Sequence, residues 1–337
     1  MGMREGGSHR ARGSRSPERD AAFRRAVDQA KQRYNISDVI GRYTKLKKAG
    51  ARALRGLCPF HSERTPSFHV YDADGGFHCF GCAAHGDIID FLRLKQGVGM
   101  LDAVRWLDSA ALPEVTEEQR AQQRAEDEAD RAASIELART VWRKAVPAAG
   151  TPAETYAQAR GIRIPLPPSI RFARTPAWYD RETDECGPNI PAVIGCVQGA
   201  DGEFMGIQRI FLGKGGREKA RMPKPKLTLG RFMEGALRLG APAEQIIECE
   251  GPEDGWTLMQ EMPGSTVWVA LGTSNMAAMR FPEGVRSVRV AGDNGTAGET
   301  AAAAALKAHA ERGLAVDGFF PIAGFKDFND QLRGVRS

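Results

Sequence analysis

Two short pairs of metal-ligating residues, Cys58-Pro59-Phe60-His61 and Cys79-Phe80-Gly81-Cys82, separated by seventeen residues, constrain this chain more than any other feature. Each pair sets its ligands two residues apart, so it can grip one face of an ion, and the two pairs together close a tetrahedron of sulfur and imidazole. No position is left for water, so the predicted zinc ion is structural. Between the pairs, Ser67-Phe68-His69-Val70-Tyr71 and Gly76-Phe77-His78-Cys79-Phe80 alternate like two strands around a turn from Asp72 to Gly76, which predicts a small β-ribbon. Such a ribbon buries too little apolar surface to fold unaided, and zinc would supply on the order of 10 kcal/mol. His69, His78 and His85 are the rival imidazoles. His85 is the best placed to replace His61, whereas His69 and His78 fall on strand positions.

With 337 residues the chain has room for two or three domains, and its net charge of +5 is mild, so where the charge lies matters more than its size. Arg42, Lys45, Lys47, Lys48, Arg52, Arg55 and Arg64 surround the finger, with Glu63 the only acid among them. A solvated basic surface is the plain reading; beside a zinc ribbon the same collar suits a phosphate backbone. Outside the finger, Cys186, Cys196 and Cys249 read as reduced thiols. No apolar run is long enough to span a bilayer and no secretory signal opens the chain, so a cytoplasmic protein without a membrane partner is expected.

Composition divides the rest. Residues 1–18 read as a disordered basic tail, 19–112 as the zinc-binding domain with two amphipathic helices covering the finger, and 113–134 as a solvated helical linker. Residues 135–242 form a mixed, basic middle region in which Ala192 to Val197 and Met205 to Leu212 read as antiparallel strands. From 243 to 337, strand and helix alternate in a mainly parallel α/β unit. The fold class is thus multidomain, α+β and α/β, with a zinc ribbon first and a parallel sheet last.

Ligands in parallel sheets gather at the carboxyl ends of the strands, and acids stand there. Glu250 follows Gln245 to Cys249, Asp293 follows Ser287 to Ala291, and Asp327 and Asp330 follow Ala315 to Phe320. Any one of them could simply open a turn or cap a helix. Recurring at equivalent ends, they read as hard oxygen ligands for Mg²⁺. Gly292-x-x-Gly295-x-x-Gly298 lacks the G-x-G-x-x-G spacing, so a dinucleotide site is not expected.

These residues resemble bacterial and phage DNA primases in two places. Ile36 to Tyr43, Leu46 to Gly50, Gly56 to His61, Thr65 to Phe68 and Phe77 to Asp87 look like the primase zinc-binding domain. Glu250-Gly251, Asp293-Asn294-x-x-Ala297-Gly298 and Lys326-Asp327-Phe328-Asn329-Asp330 are similar to the Toprim domain of phage- and plasmid-type primases. Tyr156-x-x-x-Arg160-Gly161-Ile162, Gly206-Ile207-Gln208-Arg209 and the stretch around Lys219, Lys224 and Lys226 resemble, more faintly, the segment before Toprim in mobile-element primases. The family's second Asp, two residues after Asp293, is here Gly295.

The resemblance implies a nucleotidyltransferase that makes short RNA primers on single-stranded DNA. It casts Glu250 in proton transfer or the metal site and Asp293 and Asp327 as ligands of one or two Mg²⁺ or Mn²⁺ ions, with Asp254 and Asp330 completing the set. Lys45, Lys47, Lys48, Arg52, Arg55, Arg64, Arg209, Lys219, Lys224 and Lys226 would hold template or nucleoside triphosphates. A replicative helicase would act in trans. The alternative is a single-strand binding or regulatory protein of a mobile element whose centre is impaired at Gly295, and a Toprim nuclease is a third reading that leaves the finger unexplained. A topoisomerase would need gate domains for which this chain has no room.

Overall fold

The computed structural model describes residues 25, 27–49, 53–82, 84–179, 183 and 185–336. The expected tail over 1–18 lies outside them. The chain forms two compact units, Met1–Asp130 and Arg131–Ser337.

In the first unit, α1 (Ile36–Ile40) precedes β1 (Lys47–Lys48), β2 (Leu54–Gly56), β3 (Phe68–Tyr71), β4 (Gly76–Cys79) and β5 (His85–Asp87), a five-stranded sheet in sequence order with every pair antiparallel. Strand alternation sends Phe68, Val70, Phe77 and Cys79 inward and leaves His69, Tyr71 and His78 on the other face. The inward rings stack, Phe68 on Phe77 at 5.2 Å between centroids, and Phe91 meets Phe77 edge-on at 5.6 Å. Phe91 arrives on α2 (Ile88–Gln96), which Asp87 and Asp90 open with a reciprocal capping box and Gly97 closes in the left-handed conformation. With α3 (Met100–Ser109), α1 and α2 bury Ile36, Ile40, Ile89, Leu92 and Leu107 against the ribbon. Among the described residues the helices cover one sheet face, that of Phe68, Val70, Phe77 and Cys79.

The helix α4 (Glu117–Lys144) is longer than the linker expected over 113–134, because its sequence holds neither Gly nor Pro and is rich in strong helix formers. In the first unit Arg120 donates to the carbonyls of Gln32 and Tyr34, at 2.6 and 3.0 Å, and so satisfies the chain end of the helical turns over 27–33. In the second unit Ala138 and Val141 pack with Ala192, Ile194, Ile207 and Phe211.

The second unit contains β6 (Val146–Pro147), α5 (Pro152–Ala159), β7 (Ile170–Pro176), β8 (Asn189–Gln198), β9 (Phe204–Phe211), β10 (Lys226–Gly230) and β11 (Ala236–Arg238). There follow β12 (Gln245–Cys249), α6 (Pro252–Glu261), β13 (Thr266–Val269), α7 (Thr273–Met276), β14 (Ser287–Ala291), α8 (Thr296–Glu311), β15 (Ala315–Phe319) and α9 (Phe328–Arg333). All ten strands join one sheet, whose main order is β10-β9-β8-β11-β13-β12-β14-β15. The four strands β13, β12, β14 and β15 are parallel, as the strand and helix rhythm predicts. The basic middle region is antiparallel, and β11 sews the halves together by pairing with β8 on one side and β13 on the other. Ile247, Val267, Val269 and Trp256 fill one side of this sheet, and Ile246, Trp268, Val288, Val290, Ala302 and Ala305 the other. No helix among the described residues is long and apolar enough to cross a membrane.

Candidate zinc centre and acidic crevice

The ligand atoms of Cys58, His61, Cys79 and Cys82 lie within 4.8 Å of one another, and no other such group of three or more occurs among the described residues. The spacing is that of a tetrahedron. Metal–sulfur bonds of about 2.3 Å imply edges of about 3.8 Å; Cys58 Sγ stands 3.8 Å from Cys82 Sγ, and Cys79 Sγ 3.8 Å from His61 Nδ1. The four residues therefore fit zinc, with Nδ1 as the imidazole ligand. Backbone N–H groups of Gly81 and Cys82 point at Cys79 Sγ from 3.3 and 3.4 Å, and that of Phe60 at Cys58 Sγ from 3.4 Å. Burial and the neighbouring sulfurs push the Cys58 thiol up to about 12, so a bound dication is what lets the group ionise.

Glu63, which sequence reading counted only as an acid amid the collar, supports this centre. Its carboxylate accepts from the Cys58 and Ser67 N–H groups at 2.7 and 3.1 Å and from the Ser67 hydroxyl at 2.5 Å, and stands 3.4 Å from His61 Nε2. A carboxylate behind the far ring nitrogen fixes the tautomer that exposes Nδ1. Gly81 is required by closeness, since a Cβ there would lie 2.7 Å from His61 Nε2.

The rival histidines belong to a different feature. His69, His78 and His85 face each other across β3, β4 and β5, and Arg55 and Lys47 continue the same line across β2 and β1. One row of side chains, Lys47-Arg55-His69-His78-His85, thus crosses the opposite face of the whole sheet. Phe80 projects beside it, 60% exposed, with its ring 5.1 Å from His69 and 4.5 Å from His78. Lys45, Lys47, Lys48, Arg55 and Arg64 are exposed, and Arg52 lies outside the described residues. Arg42 instead donates to the Ala111 carbonyl and lies over Trp106.

In the second unit the strand ends bring Glu250, Asp293 and Asp327 into one electrostatic group with Asp254 from the first turn of α6. Burial raises Glu250 above the usual carboxylate range, with Lys226 and Lys326 opposing. Asp293 is pushed up to about 6 by burial and by Glu250 and Asp327, and Asp254 up to about 8 by burial and Asp327. Their oxygens are not gathered as closely as the zinc ligands. Carboxylates are hard oxygen donors, the kind that divalent ions of this hardness take. Asp330 stands apart in α9, 3.7 Å from Arg333.

Local structure holds this arrangement. Asp327 caps α9 by accepting from the Asp330 N–H at 2.7 Å, and Asp254 accepts from the Asn329 N–H at 2.9 Å. Asn294 donates its side-chain amide to the carbonyls of Pro321 and Phe325, at 3.1 and 2.7 Å, tying the end of β14 to the loop that carries Asp327. Gly295 follows at φ +101°, a conformation hostile to side chains. Gly295→Asp should therefore lower stability by about 1–3 kcal/mol. A thermal melt that left the midpoint unchanged would show that the loop adapts.

Of the basic residues expected to meet nucleic acid or nucleotide, Lys224 is exposed, but Lys219 and Lys226 both grip Glu253. Arg209 is corrected outright: it is 3% exposed, donates to the Pro176 carbonyl at 2.8 Å and lies against Tyr179 and Phe211, with no face left for a phosphate. Its place on a strand buried on both sides explains this. Sequence reading missed Glu253, which Lys226 and Lys219 hold well below the usual carboxylate range despite its burial, and to which the Tyr156 hydroxyl donates at 2.7 Å. The signal was present as a third acid in Glu250-Gly251-Pro252-Glu253-Asp254.

Residues 22–123 match the family model of the CHC2 zinc finger, 132–239 that of a domain of unknown function, and 245–335 that of the Toprim domain. A zinc-ribbon protein with a Toprim fold is thereby defined. Its zinc-finger segment is similar to that of bacterial DNA primases. It is 46% identical over 95 residues to the DNA primase of Mycolicibacterium smegmatis, covering 28% of this chain and 14% of that protein. With the DNA primase of Mycobacterium leprae it shares 45% identity over 93 residues, 28% of this chain and 14% of the relative. The chain thus matches only 14% of the length of these curated relatives. It is also similar to the zinc-binding and RNA polymerase domains of the Aquifex aeolicus primase, with a TM-score of 0.46 and 18% identity over 92% of this chain and 82% of that one.

Proposed function

We propose that this chain is a DNA primase that joins ribonucleotides on single-stranded DNA, using nucleoside triphosphates and Mg²⁺ or Mn²⁺. The observation that carries this reading is the coupling of Glu250, Asp293 and Asp327 at the strand ends beside Lys226 and Lys326, in a chain that also bears the Cys58, His61, Cys79 and Cys82 ribbon.

Primer synthesis forms a bond between a 3′ oxygen and an α-phosphorus, breaks the bond to the β-phosphate oxygen and releases pyrophosphate. A divalent ion at Asp293 and Asp327 would neutralise charge building on the phosphate oxygens. Glu250, whose burial favours holding a proton, takes the proton from the attacking hydroxyl or gives one to the leaving group. Lys326 and the exposed Lys224 attract the triphosphate. A helicase supplied by another chain and an origin in a mobile element are the finer parts of this proposal.

The face of the ribbon opposite the helices would hold template. Bases stack on exposed aromatic rings while cations track phosphates, and the row of Lys47, Arg55 and three imidazoles beside Phe80 offers both. Phe80→Ala should weaken binding of a fluorescent single strand by about 1–3 kcal/mol, and Arg55→Ala should lower the salt slope as well. Unchanged anisotropy titrations in both variants would move the template elsewhere.

Labelled-nucleotide incorporation on varied single-stranded templates with Mg²⁺ or Mn²⁺ tests the whole reading. Short products are expected. Their absence on every template, with strand binding intact, would leave a binding or regulatory protein.

A further inference from the structure

The three sulfur ligands of the zinc centre are not equivalent. Cys79 is fully buried, and the Gly81 and Cys82 N–H groups point at its sulfur from 3.3 and 3.4 Å. Cys58 is 8% exposed, with the Phe60 N–H 3.4 Å from its sulfur. Cys82 is exposed, and among the described residues no N–H is directed at its sulfur. The residues before it, Phe80 at 60% and Gly81, are exposed as well, so the approach is open.

These differences decide which sulfur a reagent meets first. A hydrogen bond draws charge from a thiolate and burial keeps reagents out, so Cys79 is shielded twice and Cys58 nearly so. Cys82 is shielded by neither. Oxidation-prone cysteines are accessible thiolates with a second sulfur close by, and Cys58 Sγ stands 3.8 Å from Cys82 Sγ. A disulfide needs about 2.05 Å, a closure that side-chain rotation at the exposed partner provides.

We propose that Cys82 is an oxidation site for a hydroperoxide, with Cys58 as the partner that closes a disulfide and so empties the zinc centre. The Cys82 sulfur attacks one peroxide oxygen; an S–O bond forms, the O–O bond breaks and hydroxide leaves. The Cys58 thiolate then attacks the Cys82 sulfur, forming the S–S bond and expelling the oxygen as a second hydroxide. Two protons from solvent turn the hydroxides into water, and the two electrons lost by the sulfurs reduce the peroxide. Cys79 and His61 remain, too few to hold zinc in a closed tetrahedron. This rests on the zinc reading of the four residues and is independent of the proposed activity.

The test treats the zinc-loaded full chain with hydrogen peroxide, follows zinc release with a chromogenic chelator, and maps the cysteines by alkylation and peptide mass spectrometry. About one zinc per chain should leave as Cys82 disappears, the bridge should join Cys58 to Cys82, and Cys79 should stay open to alkylation. Dithiothreitol with added zinc should restore the centre. Cys82→His keeps four nitrogen and sulfur ligands but removes the attacking sulfur, so it should release zinc at least about tenfold more slowly. Loss of Cys79 or Cys58 ahead of Cys82, a bridge between another pair, or wild-type release in Cys82→His would overturn the proposal. So would zinc that stays bound at a dose that oxidises Cys186, an exposed thiol outside the centre. If Cys82→His takes up no zinc, the order of modification in the wild type still decides. A wild type purified without zinc, and unable to take it up, would sink the zinc reading and this proposal with it.

Discussion

Glu250→Gln should lower nucleotide incorporation by about 10²–10⁴-fold while single-strand binding stays within about twofold of wild type. The substitution keeps shape and removes charge and proton capacity together. Its backbone role is untouched, since the Glu250 carbonyl still accepts the Leu271 N–H at 2.9 Å and holds the end of β12. A fall of that size with the melting midpoint preserved would place Glu250 at the reacting atoms. Incorporation at wild-type rate would remove it from the chemistry, and Asp293, raised to about 6 by burial and the same acidic neighbours, would become the next group to vary.

Loss of zinc should unfold the ribbon. Structural zinc contributes on the order of 10 kcal/mol in small fingers, more than the whole stability of many domains. The sheet of the first unit has a single aromatic core, built on Phe68, Phe77 and Phe91, and its strand β4 ends on the ligand Cys79. Cys79→Ser, or a strong chelator acting on the wild type, should open Lys47, Lys48, Arg55 and Arg64 to rapid tryptic cleavage. Metal analysis of untreated protein should give about one zinc per chain. Digestion at the same rate with and without chelator would mean that the helices α1 to α3 hold the sheet by themselves.

How far the sequence discloses this molecule depends on how local the signal is. The zinc ligands, the hairpin of β3 and β4, and the strands that end at Cys249 and at Ala291 follow from spacing and alternation within a few residues. The four ligands of the finger were legible because a metal leaves its geometry in the chain. Glu63 was not, because its role lies in what stands behind His61 Nε2, a relation fixed only when the loop folds back.

The same limit explains Arg209 and Glu253. A basic residue on a strand reads as a surface charge unless both faces of that strand are covered, and α4 and the neighbouring strands cover β9. Glu253, a carboxylate next to Asp254, has no role in local pattern, because its partners are Tyr156 and two lysines from distant segments. Such partners lie 97 residues off in the case of Tyr156, beyond any local pattern. Likewise β11 is three residues long, too short to announce that it joins the two halves of a sheet.

That short strand has a mechanical consequence. With β11 hydrogen-bonded to β8 and β13, the lysine-bearing strands and the acid-bearing strands belong to one continuous plate, with no hinge line between them. Whatever opening admits and releases ligands must come from the loops at the rim, foremost the segment from Pro321 to Lys326 that Asn294 latches.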